Sequence, residues 1–520
     1  MSMSLHAPLD RSVARHPQKP AVVDPERQTV SYHELGRVSD ALRDRLAHLG
    51  VRSGERVGIY LHKSVDSICA IFGILKRGAA YVPVDPDAPP ARCAYIFNDC
   101  SVRAVLCERA LEPALRAELA KLGDVPPLLV LDPAGDQVRL DALLGAMQAA
   151  DPSPATSTVH PDLDGIAYML YTSGSTGRPK GVTISHRAAT AFVDWCSDEF
   201  QPHDRDVFSS HAPLHFDLSV HDVYVSLKHG ATLVLVGEEL GKDPLKLAPF
   251  IAERGITIWY STPSILSLLA QYGKLDRLDL SALRIVHFAG EVFPIPQFRA
   301  LYALLPHPRY FNLYGPTETN VCTWFEVTQL EDDRTEPFPI GPVCRHYRGR
   351  VVDELGRDVA WGEEGELIIA GPGVMSGYWN LPEQNAAAFL EDARGERWYR
   401  TGDLVVETRE QGYIFHGRRD RMVKRRGYRV ELGEIEAGLA THAQVREVAV
   451  VAGAAADGGV RIKAFVSFKN GAPRPTMIAM KQFCMGALPK YMVPDVFGFL
   501  DALPRTSTDK IDYQTLKAQA

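Results

Sequence analysis

The chain has 520 residues, of which 46% are hydrophobic and 23% charged, and its formal net charge at pH 7 is −7. This length exceeds the usual size of one domain, so we expect two or more domains, each with its own hydrophobic core. A net negative charge argues against nucleic acid or an anionic membrane as the main partner, because both attract a broad positive surface. The amino terminus has no secretion signal, and no apolar stretch reaches the roughly eighteen residues of a membrane span, which predicts a cytoplasmic protein.

The cysteines show neither a CxxC pair nor the regular spacing of a small disulfide scaffold. We interpret them as reduced thiols, most of them buried. They are Cys69, Cys93, Cys100, Cys107, Cys196, Cys322, Cys344 and Cys484.

The first part of the chain alternates short apolar strands with helices. Strands are predicted at 21–24, 56–61, 81–84 and 104–107, and a helix at 31–50. Residues 108–165 are predicted to be helix followed by a loop. The alternation then resumes between 181 and 325, with strands at 232–236, 257–261 and 284–290. This pattern predicts an α/β fold with a mainly parallel, doubly wound sheet.

Residues 337–420 contain short strands and glycine turns, which predict a small antiparallel, β-barrel-like unit. The last hundred or so residues have the pattern of a small α+β domain, with a helix, a hairpin-like pair of strands and a second helix. We therefore predict a large amino-terminal domain of doubly wound α/β subdomains, residues 1–419, and a small carboxyl-terminal domain, residues 420–520.

A loop rich in glycine and hydroxyl residues, YTSGSTGRPKGV (171–182), lies between two predicted strands. Glycines let backbone N–H groups approach an anion, and hydroxyls and a lysine add hydrogen bonds and positive charge. The spacing is not that of the common GxxxxGK[ST] P-loop, since Gly174 stands six residues before Lys180. The loop predicts a phosphate site, with a flexible linker as the alternative. Its residues are Thr172, Ser173, Gly174, Ser175, Thr176, Gly177 and Lys180.

This loop resembles that of the adenylate-forming superfamily, and further segments resemble the family's motifs in the family's order. They are LKRGAAYVPVDPDAPPAR (75–92), NLYGPTETN (312–320), YRTGDL (399–404), GRRDRMVKRRGYRVELGEIE (417–436), LPKYMVP (488–494) and LPRTSTDKID (503–512). The resemblance spans nearly the whole chain. It implies an ATP-dependent ligase whose carboxyl-terminal domain is mobile.

The resemblance implies a nucleotide site. Tyr314 would stack on adenine, Asn312 would hydrogen-bond the adenine amino group, and Glu318 would bind Mg²⁺. Asp403 would accept the ribose hydroxyls, with Arg418 beside it. Taken alone, these residues could equally be turn, cap and surface residues. Further positions implied for the nucleotide site are Gly290, Glu291, Gly315 and Thr317.

The resemblance also implies a catalytic lysine, Lys510, and a hinge, Asp420, about which the small domain rotates. A cation between the attacking carboxylate and the α-phosphate would relieve the repulsion of two anions in the transition state. The basic run 418–429 has two open interpretations, a docking surface for an acidic carrier protein or a solvated face.

Asp217 lies where amino-acid-activating members of the family pair a carboxylate with the substrate's α-ammonium group, although a capping aspartate is the alternative. The other implied pocket positions are Leu218, His221, Tyr260, His287, Ala289, Leu313, Val321 and Cys322. The set resembles stand-alone activators of L-proline and, more distantly, D-alanyl carrier protein ligases.

Two histidines depart from the proline-type pattern, which has apolar residues at 221 and 287. His221 and His287 would bind a hydroxyl, amide or carboxylate, or they are satisfied core histidines. A metal site of His211, His215 and His221 with Asp217 is not favoured, because the spacing fits no common zinc motif.

These features predict an enzyme that converts an amino acid, ATP and Mg²⁺ to aminoacyl-AMP. The aminoacyl group then passes to the phosphopantetheine thiol of a separate carrier protein, in nonribosomal peptide or related natural-product biosynthesis. The expected substrate is L-proline or another small or polar amino acid. The alternatives are a ligase that uses free coenzyme A, a D-alanine carrier protein ligase, and a catalytically silent nucleotide-binding relative.

Overall fold

The computed structural model describes residues 4–133, 138–174, 178–455, 459–469, 474–505 and 511–519. These residues form two compact units. The first takes those within 1–86, 93–171 and 181–417, and the second those within 87–92, 172–180 and 418–520. Within the described ranges, no helix is both long enough and apolar enough to cross a membrane.

Strands and helices alternate between residues 4 and 418. The strands are β1 Pro20–Asp24, β2 Gln28–Ser31, β3 Arg56–Tyr60, β4 Ala80–Pro83, β5 Ala104–Glu108, β6 Leu128–Leu131, β7 Ile166–Thr172, β8 Lys180–Ser185, β9 Val207–Ser210, β10 Thr232–Leu235, β11 Ile258–Ser261, β12 Ile285–Ala289, β13 Arg309–Tyr314, β14 Thr323–Val327, β15 Arg348–Val352, β16 Glu364–Ala370, β17 Gly377–Tyr378, β18 Phe389–Glu391, β19 Arg397–Thr408 and β20 Gly412–Arg418. The helices are α1 Ala7–Arg15, α2 Tyr32–His48, α3 Val65–Lys76, α4 Pro90–Asp99, α5 Glu112–Leu122, α6 Arg139–Ala150, α7 His186–Phe200, α8 Leu218–Val220, α9 Ser226–Lys228, α10 Glu238–Lys242, α11 Pro244–Glu253, α12 Pro263–Tyr272, α13 Ile295–Leu304 and α14 Pro382–Ala388.

Three sheets organise the first unit. An eight-stranded sheet has the order β14-β13-β12-β11-β9-β10-β1-β2, and its six inner strands are parallel while β14 and β2 are antiparallel edges. A seven-stranded sheet has the order β17-β8-β7-β4-β3-β5-β6, and a five-stranded sheet joins β15, β16, β19, β18 and β20. The predicted α/β fold class is therefore confirmed, with two large sheets built on parallel strands.

Helix α3 contacts strands of both large sheets, β1 and β2 of one and β3 and β4 of the other. Its sequence, VDSICAIFGILK, is mostly apolar, and every one of its residues is buried, as expected for a helix that is apolar on all sides. Gly73 permits its close packing on α2, because a Cβ there would lie 2.8 Å from Leu42 Cβ. This helix gives the first unit a shared core between its sheets.

The second unit has its own core. Its elements are β21 Met422–Arg425, β22 Tyr428–Glu431, α15 Leu432–Ala440, β23 Val445–Ala454, β24 Val460–Phe468, α16 Met477–Ala487, β25 Val496–Phe499 and α17 Tyr513–Lys517. Strands β23 and β24 are antiparallel, as the predicted hairpin-like pair requires, and β25 runs parallel to β24. Val430, Ile435, Ile462 and Met480 are among the residues that fill the core of this α+β unit.

The sequence patterns missed some strands. β6 lies within the segment predicted as helix and loop, because a four-residue apolar run such as LLVL has no periodicity that separates strand from helix. β2 ends at Ser31, which caps α2 through a hydrogen bond from Glu34 N, so the helix begins one residue later than predicted. The prediction for the cysteines is confirmed, since all eight are buried and free.

Two histidines near the amino terminus, His6 and His186, are each 0% exposed. Leu5 N donates a hydrogen bond to His186 Nδ1 at 3.2 Å. Burial lowers the pKa of His6 from 6.5 to about 3, with the charges of His186 and other neighbours lowering it further, and burial lowers the pKa of His186 to about 4. Below pH 6.5 the unfolded chain therefore binds more protons than the folded chain, so stability falls as the pH falls from 6.5 towards 4.

The substitution His186→Asn should weaken this pH dependence, because the side-chain amide oxygen can still accept from Leu5 N but does not titrate. Between pH 6.5 and 4.5, the apparent free energy of unfolding should fall less steeply than in the parent, by about 1.4 kcal/mol per pH unit. Urea melts at several pH values measure it. The substitution His33→Asn, at an exposed position, is the control. The prediction would be contradicted if the free energy of unfolding fell equally steeply with pH in the parent and in His186→Asn.

Candidate active site

The predicted pocket residues lie at the carboxyl-terminal ends of the parallel strands of the eight-stranded sheet. Its parallel strands β9, β11, β12 and β13 end at Ser210, Ser261, Ala289 and Tyr314. In open α/β sheets, ligands bind outside the carboxyl ends of the strands. The predicted residues lie at or next to these ends: Tyr260, His287, Ala289, Gly290, Glu291, Asn312, Leu313, Tyr314 and Gly315.

The register of the strands places the pocket side chains on one face. Tyr260 is paired with His287 across β11 and β12, and Ala289 with Leu313 across β12 and β13. His221 packs against this face, with its ring centroid 5.3 Å from that of Tyr260 and 4.8 Å from that of His287. The remaining predicted apolar positions, Leu218, Val321 and Cys322, belong to the same hydrophobic cluster as Tyr260, Ala289 and Leu313.

Asp217 stands at the start of α8, but its side chain makes no capping hydrogen bond. The alternative that it is a helix cap is therefore wrong. Burial raises the pKa of the Tyr260 phenol well above its usual range, and the charge of Asp217 raises it further. The same carboxylate contributes to the raised pKa of Tyr168, after burial and Tyr81. The Asp217 carboxylate is thus close enough to the Tyr260 and Tyr168 rings for its charge to act on both phenols.

A tight turn follows β13 and requires glycine at 315. A Cβ at Gly315 would lie 1.9 Å from Asn320 O, and Cys322 N donates to Tyr314 O at 2.8 Å across the turn. The turn delivers Glu318 to a position where its side chain is 0% exposed. Glu318 Oε1 there accepts a hydrogen bond from the Tyr378 hydroxyl at 2.6 Å.

The structure also brings together two residues that are 89 positions apart in the sequence. The Tyr314 hydroxyl donates to Asp403 Oδ2, and Asp403 is only 2% exposed. Asn312 Nδ2 donates to Pro339 O at 2.8 Å, which orients the amide, and its Oδ1 is a hydrogen-bond acceptor. An acceptor is what the amino group of adenine requires.

Two further predicted nucleotide residues follow β12. Gly290 has a φ of +90°, a conformation that favours glycine. Glu291 Oε2 accepts from Ser264 N at 3.2 Å, so this carboxylate also stabilises the first turn of α12. Thr317 is half-buried in the turn after β13.

In the second unit, part of the predicted phosphate loop contacts an anionic group. Gly174 N donates to Glu434 Oε2 at 3.1 Å, and Ser173 Oγ donates to Arg429 O at 2.8 Å. A backbone N–H aimed at a carboxylate oxygen is the type of contact that a phosphate oxygen would receive. Thr172 ends β7 and buried Lys180 begins β8. Ser175, Thr176, Gly177 and the predicted catalytic Lys510 lie outside the described residues.

The predicted hinge residue Asp420 pairs with Arg418 through two hydrogen bonds of 2.7 Å. Burial would raise the pKa of Asp420, but the Arg418 guanidinium holds it below its usual range. In the described ranges, no group of three or more His, Cys, Asp or Glu residues could hold a metal ion.

Comparison with known proteins decides the family. The model of the AMP-binding enzyme family matches residues 9–379, and that of the AMP-binding enzyme C-terminal domain matches residues 434–510. The chain belongs to the AMP-binding enzyme family. The predicted class, an adenylate-forming ligase that uses ATP, is thereby confirmed.

Curated AMP-binding relatives match over their whole length. An L-proline–L-prolyl-carrier protein ligase of Pseudomonas fluorescens is 40% identical over 99% of this chain and 99% of its own. One of Streptomyces coelicolor is 39% identical over 99% of this chain and 96% of its own. A solved structure, the adenylation domain AlmE of Vibrio cholerae in complex with glycyl-adenosine-5'-phosphate, has a TM-score of 0.84 and 25% identity, covering 100% of this chain and 98% of that chain.

Sequence reasoning missed three residues that support the site of this AMP-binding enzyme. Tyr378 binds Glu318, Asp222 accepts from His221 Nδ1 at 3.1 Å, and Lys63 Nζ donates to Ala212 O at 3.1 Å. Burial raises the pKa of Asp222 to about 6 and lowers that of Lys63 to about 7. Only Asp222 carried a signal, its position next to His221, because Tyr378 and Lys63 are distant from their partners in sequence.

The substitution Tyr314→Phe should raise the KM for ATP about tenfold with little change in kcat, because the ring is kept while a buried carboxylate loses a charge-assisted hydrogen bond. Both constants are measured from the steady-state rate of pyrophosphate release at varied ATP concentrations. Tyr310→Phe is the matched control, since it removes the hydroxyl that donates to Leu305 O at the other end of β13. Equal KM values for ATP in the two variants would contradict a role of the Tyr314 hydroxyl.

Proposed function

We propose that the chain is an amino acid–carrier protein ligase. It forms aminoacyl-AMP from an amino acid and ATP, with Mg²⁺, and transfers the aminoacyl group to the phosphopantetheine thiol of a separate carrier protein. The observation that carries the proposal is the Asp217 carboxylate beside Tyr260 in an otherwise aromatic and apolar pocket. The names of the two full-length relatives support L-proline or another small or polar amino acid as the substrate.

Asp217 favours an amino acid over other carboxylic acids. An ammonium group would pair with this carboxylate, whereas a fatty or aryl acid offers it no cation. The hydrogen bond from Asn320 Nδ2 to Asp217 O, at 3.3 Å, fixes the backbone that carries it. The carboxylate therefore positions the α-carbon of the substrate.

The nucleotide roles are proposed for residues whose chemistry fits them. Tyr314 offers a ring to adenine, Asn312 Oδ1 an acceptor to its amino group, and Asp403 a carboxylate to the ribose hydroxyls. Mg²⁺ is usually held by one or two carboxylates together with substrate phosphates, and Glu318, fixed by Tyr378, is such a carboxylate. A bound Mg²⁺ ion supplies charge neutralisation at the phosphates.

The reaction then has two steps. A carboxylate oxygen of the amino acid attacks the α-phosphorus of ATP, and pyrophosphate leaves with the electron pair of the broken bond. The carrier thiolate next attacks the acyl carbon, and AMP leaves as the thioester forms. We assign the stabilisation of the first transition state to Lys510, and the phosphate contacts to the 172–180 loop.

An ATP–pyrophosphate exchange assay with a panel of amino acids, followed by loading of discrete carrier proteins, tests the function. We expect exchange with at least one small amino acid, and aminoacylation of a phosphopantetheinylated carrier at least about tenfold faster than of free coenzyme A. Intact-protein mass spectrometry detects the loaded carrier. Absence of exchange with every amino acid, or faster thioester formation on coenzyme A, would contradict the proposal.

The substitution Asp217→Asn should lower kcat/KM for the amino acid about tenfold to a hundredfold, because a charge-assisted contact becomes a neutral one. Tetrahydrofuran-2-carboxylic acid, in which oxygen replaces the amine of proline, should be a poor substrate for the parent and should not be affected by the substitution. Exposed Asp333→Asn is the control. An equal loss for the amino acid and its amine-free analogue would remove Asp217 from ammonium recognition.

A further inference from the structure

A buried histidine without hydrogen bonds lies in the middle of the pocket face. His287 is 0% exposed, and neither of its ring nitrogens has a hydrogen-bond partner among the residues that the structure describes. Aromatic rings surround it, with centroid distances of 4.2 Å to Phe200, 5.5 Å to Phe311 and 5.6 Å to Tyr260. A buried polar group in this condition costs stability, whereas an aliphatic side chain would not.

His287 also lies on the same face of the sheet as residues to which substrate binding is assigned above. Tyr260 is its cross-strand neighbour on β11, and the same tyrosine responds to the charge of Asp217. Ala289 lies two residues further along β12 and so on the same face as His287. A side chain that extends from an α-carbon held at Asp217 would therefore point along this face towards the imidazole.

The charges around His287 restrict what it can bind. Burial lowers the pKa of His287 well below its usual range, and the adjacent His221 ring lowers it further, so the ring is neutral at pH 7. A neutral imidazole has one N–H donor and one acceptor nitrogen. Charges of both signs act on this pair: Asp222 is hydrogen-bonded to His221, and the positive charges of Arg284 and Arg309 help to lower the pKa of His287. A neutral group that both donates and accepts is complementary to the neutral ring.

We propose that His287, together with His221, recognises a neutral hydrogen-bonding group on the side chain of the activated amino acid. The preferred substrate is then a small amino acid that carries a hydroxyl or a carboxamide, rather than its apolar counterpart. This inference rests on the proposed function and narrows its substrate. It also gives the unpaired nitrogens of His287 a role that a core histidine would lack.

The first test compares matched substrates with the unmodified enzyme in ATP–pyrophosphate exchange. The pairs are 4-hydroxy-L-proline and L-proline, L-serine and L-alanine, L-threonine and L-valine, and L-asparagine and L-leucine, with L-aspartate as a charged isostere. We expect the best substrate to be a polar member, with kcat/KM at least about tenfold above that of its apolar partner. The pair with the largest ratio distinguishes a hydroxyl from a carboxamide.

Three outcomes of this test would contradict the inference. An apolar member that equals or exceeds its polar partner in every pair would overturn it while leaving the proposed function intact. L-Aspartate as the best substrate would overturn the requirement for a neutral group. Absence of exchange with all amino acids would overturn the proposed function and this inference with it.

The second test uses variants. His287→Leu should lower kcat/KM for the polar member at least about tenfold, mainly through KM, and leave the apolar partner unchanged or improved. His287→Gln, which keeps a donor and an acceptor, should restore part of the preference. The control is His229→Leu, because half-buried His229 precedes the amino end of β10 and so lies at the end of the sheet opposite the pocket. This variant should leave kcat/KM unchanged for both members of the pair. An equal loss for both members in His287→Leu would show a structural role and overturn the inference.

Discussion

The register of β11, β12 and β13 is the constraint on which the site depends. Side chains alternate between the faces of a strand, so a slip of one residue would turn every side chain of β12 to the other face. His287 and Ala289 would then exchange places with Val286 and Phe288, which pack into the cluster on the far side of the sheet. That cluster stabilises the register and thereby determines which side chains lie on the proposed substrate face.

The turn after β13 extends this constraint to the residues of the proposed nucleotide site. Gly315 allows the chain to reverse within a few residues, so Tyr314 remains on the strand while Glu318 lies behind the turn, where Tyr378 binds it. Tyr314 in turn holds Asp403 of the five-stranded sheet. These hydrogen bonds fix the orientation of the two buried carboxylates. The polar part of the site is therefore held by contacts between sheets rather than within one loop.

The sequence was most informative in short segments of distinctive composition. The loop at 171–182 and the turn at 312–320 each place their proposed ligand groups in consecutive residues, and the alternation of strands and helices was sufficient for the α/β class. Strands β6 and β25 were not predicted, because short apolar runs become strands only when a neighbouring strand pairs with them.

Contacts across long sequence separations also could not be predicted. Nothing local to Tyr378 or Lys63 indicates a partner at Glu318 or Ala212, because these pairs form only when the sheets assemble. His221 and His287 were recognised as unusual, but the sequence shows neither their burial nor that His287 has no hydrogen-bond partner among the described residues, because both depend on packing between strands.

His221 and Asp222 begin a π-helical segment, His221–Val225, which lies between the short α-helices α8 and α9. A π turn spans i to i+5 and so holds one more residue than an α turn. Loss of a single residue within 221–225 would return the segment to α-helix and rotate the preceding residues by about 100° relative to those that follow. A change in chain length alone would therefore replace the imidazole that we propose for substrate recognition, which gives insertions and deletions a direct route to altered specificity.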